Sequence, residues 1–179
     1  LSPAGHQAQA DAARAVLAEL DAATPEDDTD RVTLAAMRER IGLDLELHEA
    51  DELLGQLNNI ASPVQGLRDV FDLMPTATPE HWDAVVARLE ALPGAAAGVV
   101  ESLRLAASRG RVAARRQVLE CVAQAEQLAA EDTSFFTTFV TGPAAQAALS
   151  GAPDADGRRE ALARGAAAAR TAYENLIVL

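Results

Sequence analysis

Lysine is absent. All fifteen basic residues of this 179-residue chain are arginine, against 27 acidic residues, for a net charge of −12. Without lysine, Schiff-base chemistry is excluded. A chain this acidic is not expected to bind nucleic acid by neutralising phosphates, or to settle on an anionic membrane. Cysteine is nearly absent too. Cys121 stands alone, so no intrachain disulfide forms, and the redox compartment stays open. Its neighbours Val118, Leu119 and Val122 point to a core position on a helix, where a free thiol behaves as a small hydrophobe. No apolar run reaches the ~18 residues of a membrane span. The start LSPAGHQAQADAAR has no signal-peptide pattern and no initiating methionine, so Leu1 is not expected to be the native start.

Aromatics are scarce: Phe71, Trp82, Phe135, Phe136, Phe139 and Tyr173 are all there are. Strand-forming residues are thin as well. What the chain has is alanine and leucine at helical spacing. This favours an all-α domain with a Leu/Val/Ala core and close interhelical packing. We expect one irregular multi-helix bundle over residues 1–179, of about seven to nine helices.

The helices are read from periodicity and punctuation. Gln7 to Leu20 has Ala10, Ala13, Leu17 and Leu20 on one stripe. The acidic turn DAATPEDDTD leads into a helical stretch from Asp30 to Leu57, with a break at Gly42 as one option. That turn lacks the glycine and terminal glutamate of a calcium loop. Ser62-Pro63 and Thr78-Pro79 are helix starts, opening helices to Leu73 and Leu92. Pro93 either kinks the second of these or begins a new one ending near Gly110. Ala113 to Ala130, Pro143 to Leu149, and Asp156 toward Asn175 complete the series. SFFTTF, Ser134 to Phe139, is an apolar packing patch on a connector or short helix. The final run Leu176 to Leu179 has no polar taper, and more chain is expected to follow it.

One pair of residues invites a sharper reading. His48-Glu49 matches the opening of H-E-x-x-H, which sets two histidines on one helical face around a zinc ion. Four residues after His48 stands Glu52, not histidine. One imidazole and one carboxylate do not make a metal site, and a solvated helical face is the simpler reading. The other histidines, His6 and His81, are scattered. No nucleophile–base pair, phosphate loop or metal cluster can be assembled from spacing. The chain is therefore expected to carry no catalytic residue, metal or cofactor of its own. The basic stretch Ser108 to Arg116 is expected to pair with the surplus carboxylates.

Five segments, in order, carry a resemblance: IASP at Ile60–Pro63, RDVFDLMP at Arg68–Pro75, TPEHW at Thr78–Trp82, RLEALP at Arg88–Pro93, and ESL…ASRGRVAARRQV at Glu101–Val118. Together they resemble the N-terminal region of a bacterial family catalogued as domain of unknown function 885. The resemblance implies a longer parent protein. Family members look like helical zinc-peptidase relatives, with an H-E-x-x-x-G-H-H type motif far downstream. No such motif occurs here, so none of those metal ligands carries over. Where the family often has an aromatic, this chain has Val99.

The resemblance implies that the chain is an N-terminal helical region. It would wall a cleft for a peptide-like substrate, with zinc held beyond Leu179. Arg68, Asp69, Asp72, Trp82 and Arg104 lie inside the resembling segment and are candidates to face that cleft. The simpler reading of each is an i,i+4 surface ion pair for Arg68/Asp72 and a core position for Trp82. The alternative function is a helical binding or scaffold protein without chemistry.

Overall fold

The computed structural model describes residues 1–178. Leu179, the end of the apolar run Leu176–Leu179, lies outside the described residues. The fold is all-α, with no strand among the described residues. The helices are α1 (Pro3–Ala22), α2 (Asp28–Glu49), α3 (Pro63–Asp69), α4 (Pro79–Ser108), α5 (Arg115–Ala129), α6 (Phe135–Thr141), α7 (Pro143–Leu149) and α8 (Ala155–Ile177). A 3-10 turn, Val70–Leu73, extends α3.

The ends of these helices follow from capping chemistry. Ser2 accepts from Gly5 N at 3.1 Å to start α1, and Asp27 accepts from Asp30 N at 2.8 Å to start α2. Asp28 and Asp30 then sit at the positive end of the α2 dipole. Gly42 does not break α2, and the helix stops at Glu49 rather than running on to Leu57. Pro93 is absorbed within α4. Gly110, at φ +77°, closes that helix: Arg111 N donates to Ala106 O (2.9 Å) and Gly110 N to Ala107 O (3.0 Å). This is a Schellman ending, and its left-handed residue costs glycine little.

Chain contacts divide the molecule into two compact units. One comprises Leu1–Gln56 and Glu101–Val112. In it α1 and α2 pack together, tied by Arg38, whose Nε donates to Asp21 (3.1 Å) and whose Nη2 donates to the Leu20 carbonyl (2.5 Å). Its buried apolar residues are few: Ala10, Leu20, Leu54 and Ala106. None of the described residues of α2 is buried. Two of the four arginines of the basic stretch pair with carboxylates as expected, Arg109 with Asp51 (2.5 Å) and Arg111 with Glu52 (2.7 Å), while Arg115 and Arg116 form no ion pair among the described residues.

The other unit, Leu57–Val100 and Ala113–Leu179, holds the principal core. Here α8 packs on α5 and α6. The core differs from the Leu/Val/Ala interior expected from composition, because all six aromatics collect in one cluster. Phe71 meets Phe135, Phe136 and Phe139 at centroid distances of 5.8–6.3 Å. Trp82 lies 5.1 Å from Phe139, and Tyr173 lies 5.6 Å from Phe136. Their scarcity in the sequence concealed their concentration in space. Leu and Ala fill the remainder: Gly165 of α8 sits so close to Leu89 of α4 that a Cβ there would lie 2.8 Å from the Leu89 Cβ.

Candidate functional site

Three of the five cleft candidates come together. α3 and its 3-10 extension set Arg68, Asp69 and Asp72 side by side. The Arg68 guanidinium reaches Asp69 at 3.3 Å and pairs more closely with Asp72, one turn on. The guanidinium carbon lies 4.0 Å from the centroid of the half-buried Phe135 ring, within cation–π range. Arg68 is thus held by its face on an aromatic ring and by its edge on two carboxylates. The cluster carries one positive and two negative charges. Its base is rigid, since Phe71 is buried next to it and the buried Tyr173 hydroxyl donates to Val64 O of α3 at 2.7 Å.

Trp82 does not join this surface. It is 0% exposed, and its indole N–H donates to Thr76 O at 3.0 Å. A ring so enclosed acts on packing, and this corrects its candidacy as a cleft-facing residue. Arg104 is exposed on the last turns of α4 and belongs to the other unit. Val99 is buried.

A polar network that spacing did not suggest fixes the loop Leu57–Ser62. The Asn58 side chain accepts from Ile60 N (2.9 Å) and Ala61 N (2.7 Å). Gln65 accepts from Ser62 N at 2.9 Å, donates to Asn58 O at 3.0 Å, and donates to Gln124 Oε1 at 2.6 Å. From α5, Gln117 accepts from Asn59 N (2.8 Å), Gln124 donates to Asn59 O (3.0 Å), and the Cys121 thiol donates to Asn58 O (3.1 Å). The visible signals were the S-x-x-Q capping pattern at Ser62–Gln65 and the Gln117/Cys121/Gln124 stripe. Burial pushes the Cys121 thiol above its ordinary pKa, away from the thiolate form that nucleophilic chemistry needs. Burial also pushes the Tyr173 phenol far above its ordinary value. Neither residue is poised to react at neutral pH.

A zinc ion does not fit the residues present. No group of three or more His, Cys, Asp or Glu side chains converges among the described residues. Glu52 lies past the end of α2, so it does not share a helical face with His48, and it pairs with Arg111. His48 Nε2 is 3.3 Å from Gln7 Oε1. His81 Nδ1 accepts from Ala77 N (3.1 Å) and Thr78 N (3.3 Å) at the start of α4, so its lone pair is occupied. A bidentate pair, Arg158 on Asp83 at 2.8 and 2.9 Å, holds the Asp83 carboxyl below its usual range. It ties α8 to α4. No helix among the described residues is long and apolar enough to cross a membrane.

None of the curated proteins matches this chain. The family model described as "Bacterial protein of unknown function (DUF885)" matches residues 1–179. The match covers the full sequence, including the five segments from Ile60 to Val118, and the chain belongs to that bacterial family.

Proposed function

We propose that this chain is a helical, non-catalytic region of a zinc-peptidase-like protein, walling the cleft that selects extended, peptide-like substrates. The zinc and the general base would be supplied by residues outside 1–179. The reading draws on the resemblance of the Ile60–Val118 segments to the N-terminal region of the family. One observation carries it: Arg68, Asp69 and Asp72 form a fixed charged surface on a short helix anchored in the aromatic core. Its surplus carboxylate suits the N–H groups of a bound peptide, and its rigidity spares the cost of ordering side chains on binding.

The alternative, a binding or scaffold protein without chemistry, draws on a groove of about 340 Å³ between α4 and α8, lined by Pro93, Ala96, Val100, Ala168 and Thr171. One assay separates the two. The native gene product and residues 1–179 alone are each incubated with unstructured peptides, with and without a zinc chelator. The expected result is chelator-sensitive hydrolysis by the native product and none by residues 1–179. Zinc-dependent hydrolysis by residues 1–179 alone would overturn the wall reading. An inert native product selects the scaffold. Where the native product is active, Arg68→Ala is expected to raise KM by roughly threefold or more with kcat unchanged, the mark of lost uniform binding.

A further inference from the structure

α2 is apolar on two opposite sides. The inner stripe, Leu34, Arg38, Ile41, Leu45 and His48, is half-buried and reaches α1 through Arg38 and His48. The outer stripe, Val32, Ala36, Leu43 and Leu47, recurs at intervals of four, seven and four residues, which keeps it on one face of a helix. It is open to solvent: Val32 is 69% exposed, Leu43 43% and Leu47 36%. A helix that shows such a seam to water is incomplete as a packing unit.

The order of residues along this seam suits a second copy of the same helix. The stripe is symmetric about the midpoint between Glu39 and Arg40. Laid antiparallel on a second copy, Val32 meets the partner's Leu47, and Ala36 meets the partner's Leu43. At the centre Glu39 meets the partner's Arg40, and the two-fold axis repeats each contact. Bulk faces bulk at the ends, and the small Ala36 gives room to a leucine beside the centre. Glu39 and Arg40 are both exposed and form no ion pair among the described residues, whereas Arg14, Arg31 and Arg38 do. We propose that the outer face of α2 is an isologous contact between two copies of this chain, built as an antiparallel helix pair. Self-complementarity of this kind is what a two-fold interface requires.

The dimer is weak. One helix pair covers less than the ~1,200 Å² of a standard stable interface, and each chain carries a net charge of −12. At physiological salt the repulsion is screened beyond about 8 Å. We set the expected dissociation constant on the order of 100 µM, in the weak range for an interface below the standard size. This proposal is independent of the cleft reading.

Sedimentation equilibrium over a concentration series spanning that constant is the test. The chain is expected to dimerise reversibly. Leu43→Glu places a carboxylate in the seam on both copies and weakens association on the order of tenfold or more. Glu39→Arg sets arginine against arginine and weakens it too. The double exchange Glu39→Arg with Arg40→Glu restores the opposite-charge pairing and recovers association. Leu43, Glu39 and Arg40 are exposed, so these variants keep the fold, which circular dichroism checks. A monomer at every concentration overturns the proposal. So does a dimer indifferent to Leu43→Glu, or a double exchange no tighter than Glu39→Arg alone.

Discussion

At the scale of single residues, two glycines inside helices make opposite demands on the same substitution. Glycine within a helix costs roughly 0.5–1 kcal/mol relative to alanine, so Gly→Ala stabilises where space allows. At Gly94 in α4 no atom lies within 4 Å of the added Cβ, and Gly94→Ala is expected to stabilise by that amount. At Gly165 in α8 the added Cβ meets the Leu89 Cβ at 2.8 Å and its Cδ1 at 3.1 Å. The first of these atoms is fixed by the α4 backbone and cannot swing aside. Overpacking of this kind costs about 1–3 kcal/mol, which exceeds the propensity gain. Gly165→Ala is therefore expected to destabilise by about 1–2 kcal/mol net. Urea unfolding of the two variants measures both signs at once. Stabilisation by both would mean that the α4–α8 approach is looser than this spacing. Sequence alone offered no way to tell these glycines apart, since each sits among alanines.

At the scale of elements, what was legible in the sequence was punctuation and what was not was pairing. Ser62-Pro63, Thr78-Pro79, Pro143 and the Gly110 stop place helix ends through local chemistry, and local chemistry is written in adjacent residues. The early stop at Glu49 depends on surroundings, so periodicity misjudged it, and of the two readings open at Pro93 the structure has the one in which no new helix begins there. Val118 was expected to face the core yet is 37% exposed, because α5 turns its Gln117/Cys121/Gln124 stripe toward a loop rather than a leucine surface. The candidate site was legible only as Arg68 with Asp72, an i,i+4 pair. The Phe135 ring beneath Arg68 comes from far along the chain. The Leu57–Ser62 loop depends on the same long-range pairing. Removing Gln65 would leave the Asn58 carbonyl and Ser62 N without these partners, and Gln124 without its donor. Gln65→Ala is expected to cost about 1–3 kcal/mol and to speed labelling of the buried Cys121 by a thiol reagent. Labelling as slow as in the parent chain would show that α5, and not the amide network, protects the thiol.

At the scale of the molecule, the two units differ in how much apolar surface each keeps from water. The unit of Leu57–Val100 and Ala113–Leu179 encloses Phe71, Trp82, Phe136 and Tyr173, with Leu89, Leu149, Leu162 and Val85 beside them. The unit of Leu1–Gln56 and Glu101–Val112 encloses two leucines and two alanines. Isolated helices are marginal in water, so helical stability in proteins comes mostly from packing an apolar face. α2 has little packing to draw on, while α8 buries Leu162, Ala166, Ala169, Ala172, Tyr173 and Leu176. Local opening free energies follow buried apolar contact. Native-state hydrogen exchange at low protein concentration is therefore expected to find the α2 amides at least about tenfold less protected than those of α8, a gap of roughly 1.4 kcal/mol or more. In urea, α1 and α2 are expected to open before the aromatic cluster. Equal protection across both units would mean that they unfold as one cooperative body, and that the sparse core around Leu20 and Leu54 is not what sets the stability of α2. The contrast also fixes the condition for the measurement: at concentrations where the outer stripe of α2 is covered by a second copy, its protection should rise while that of α8 stays constant.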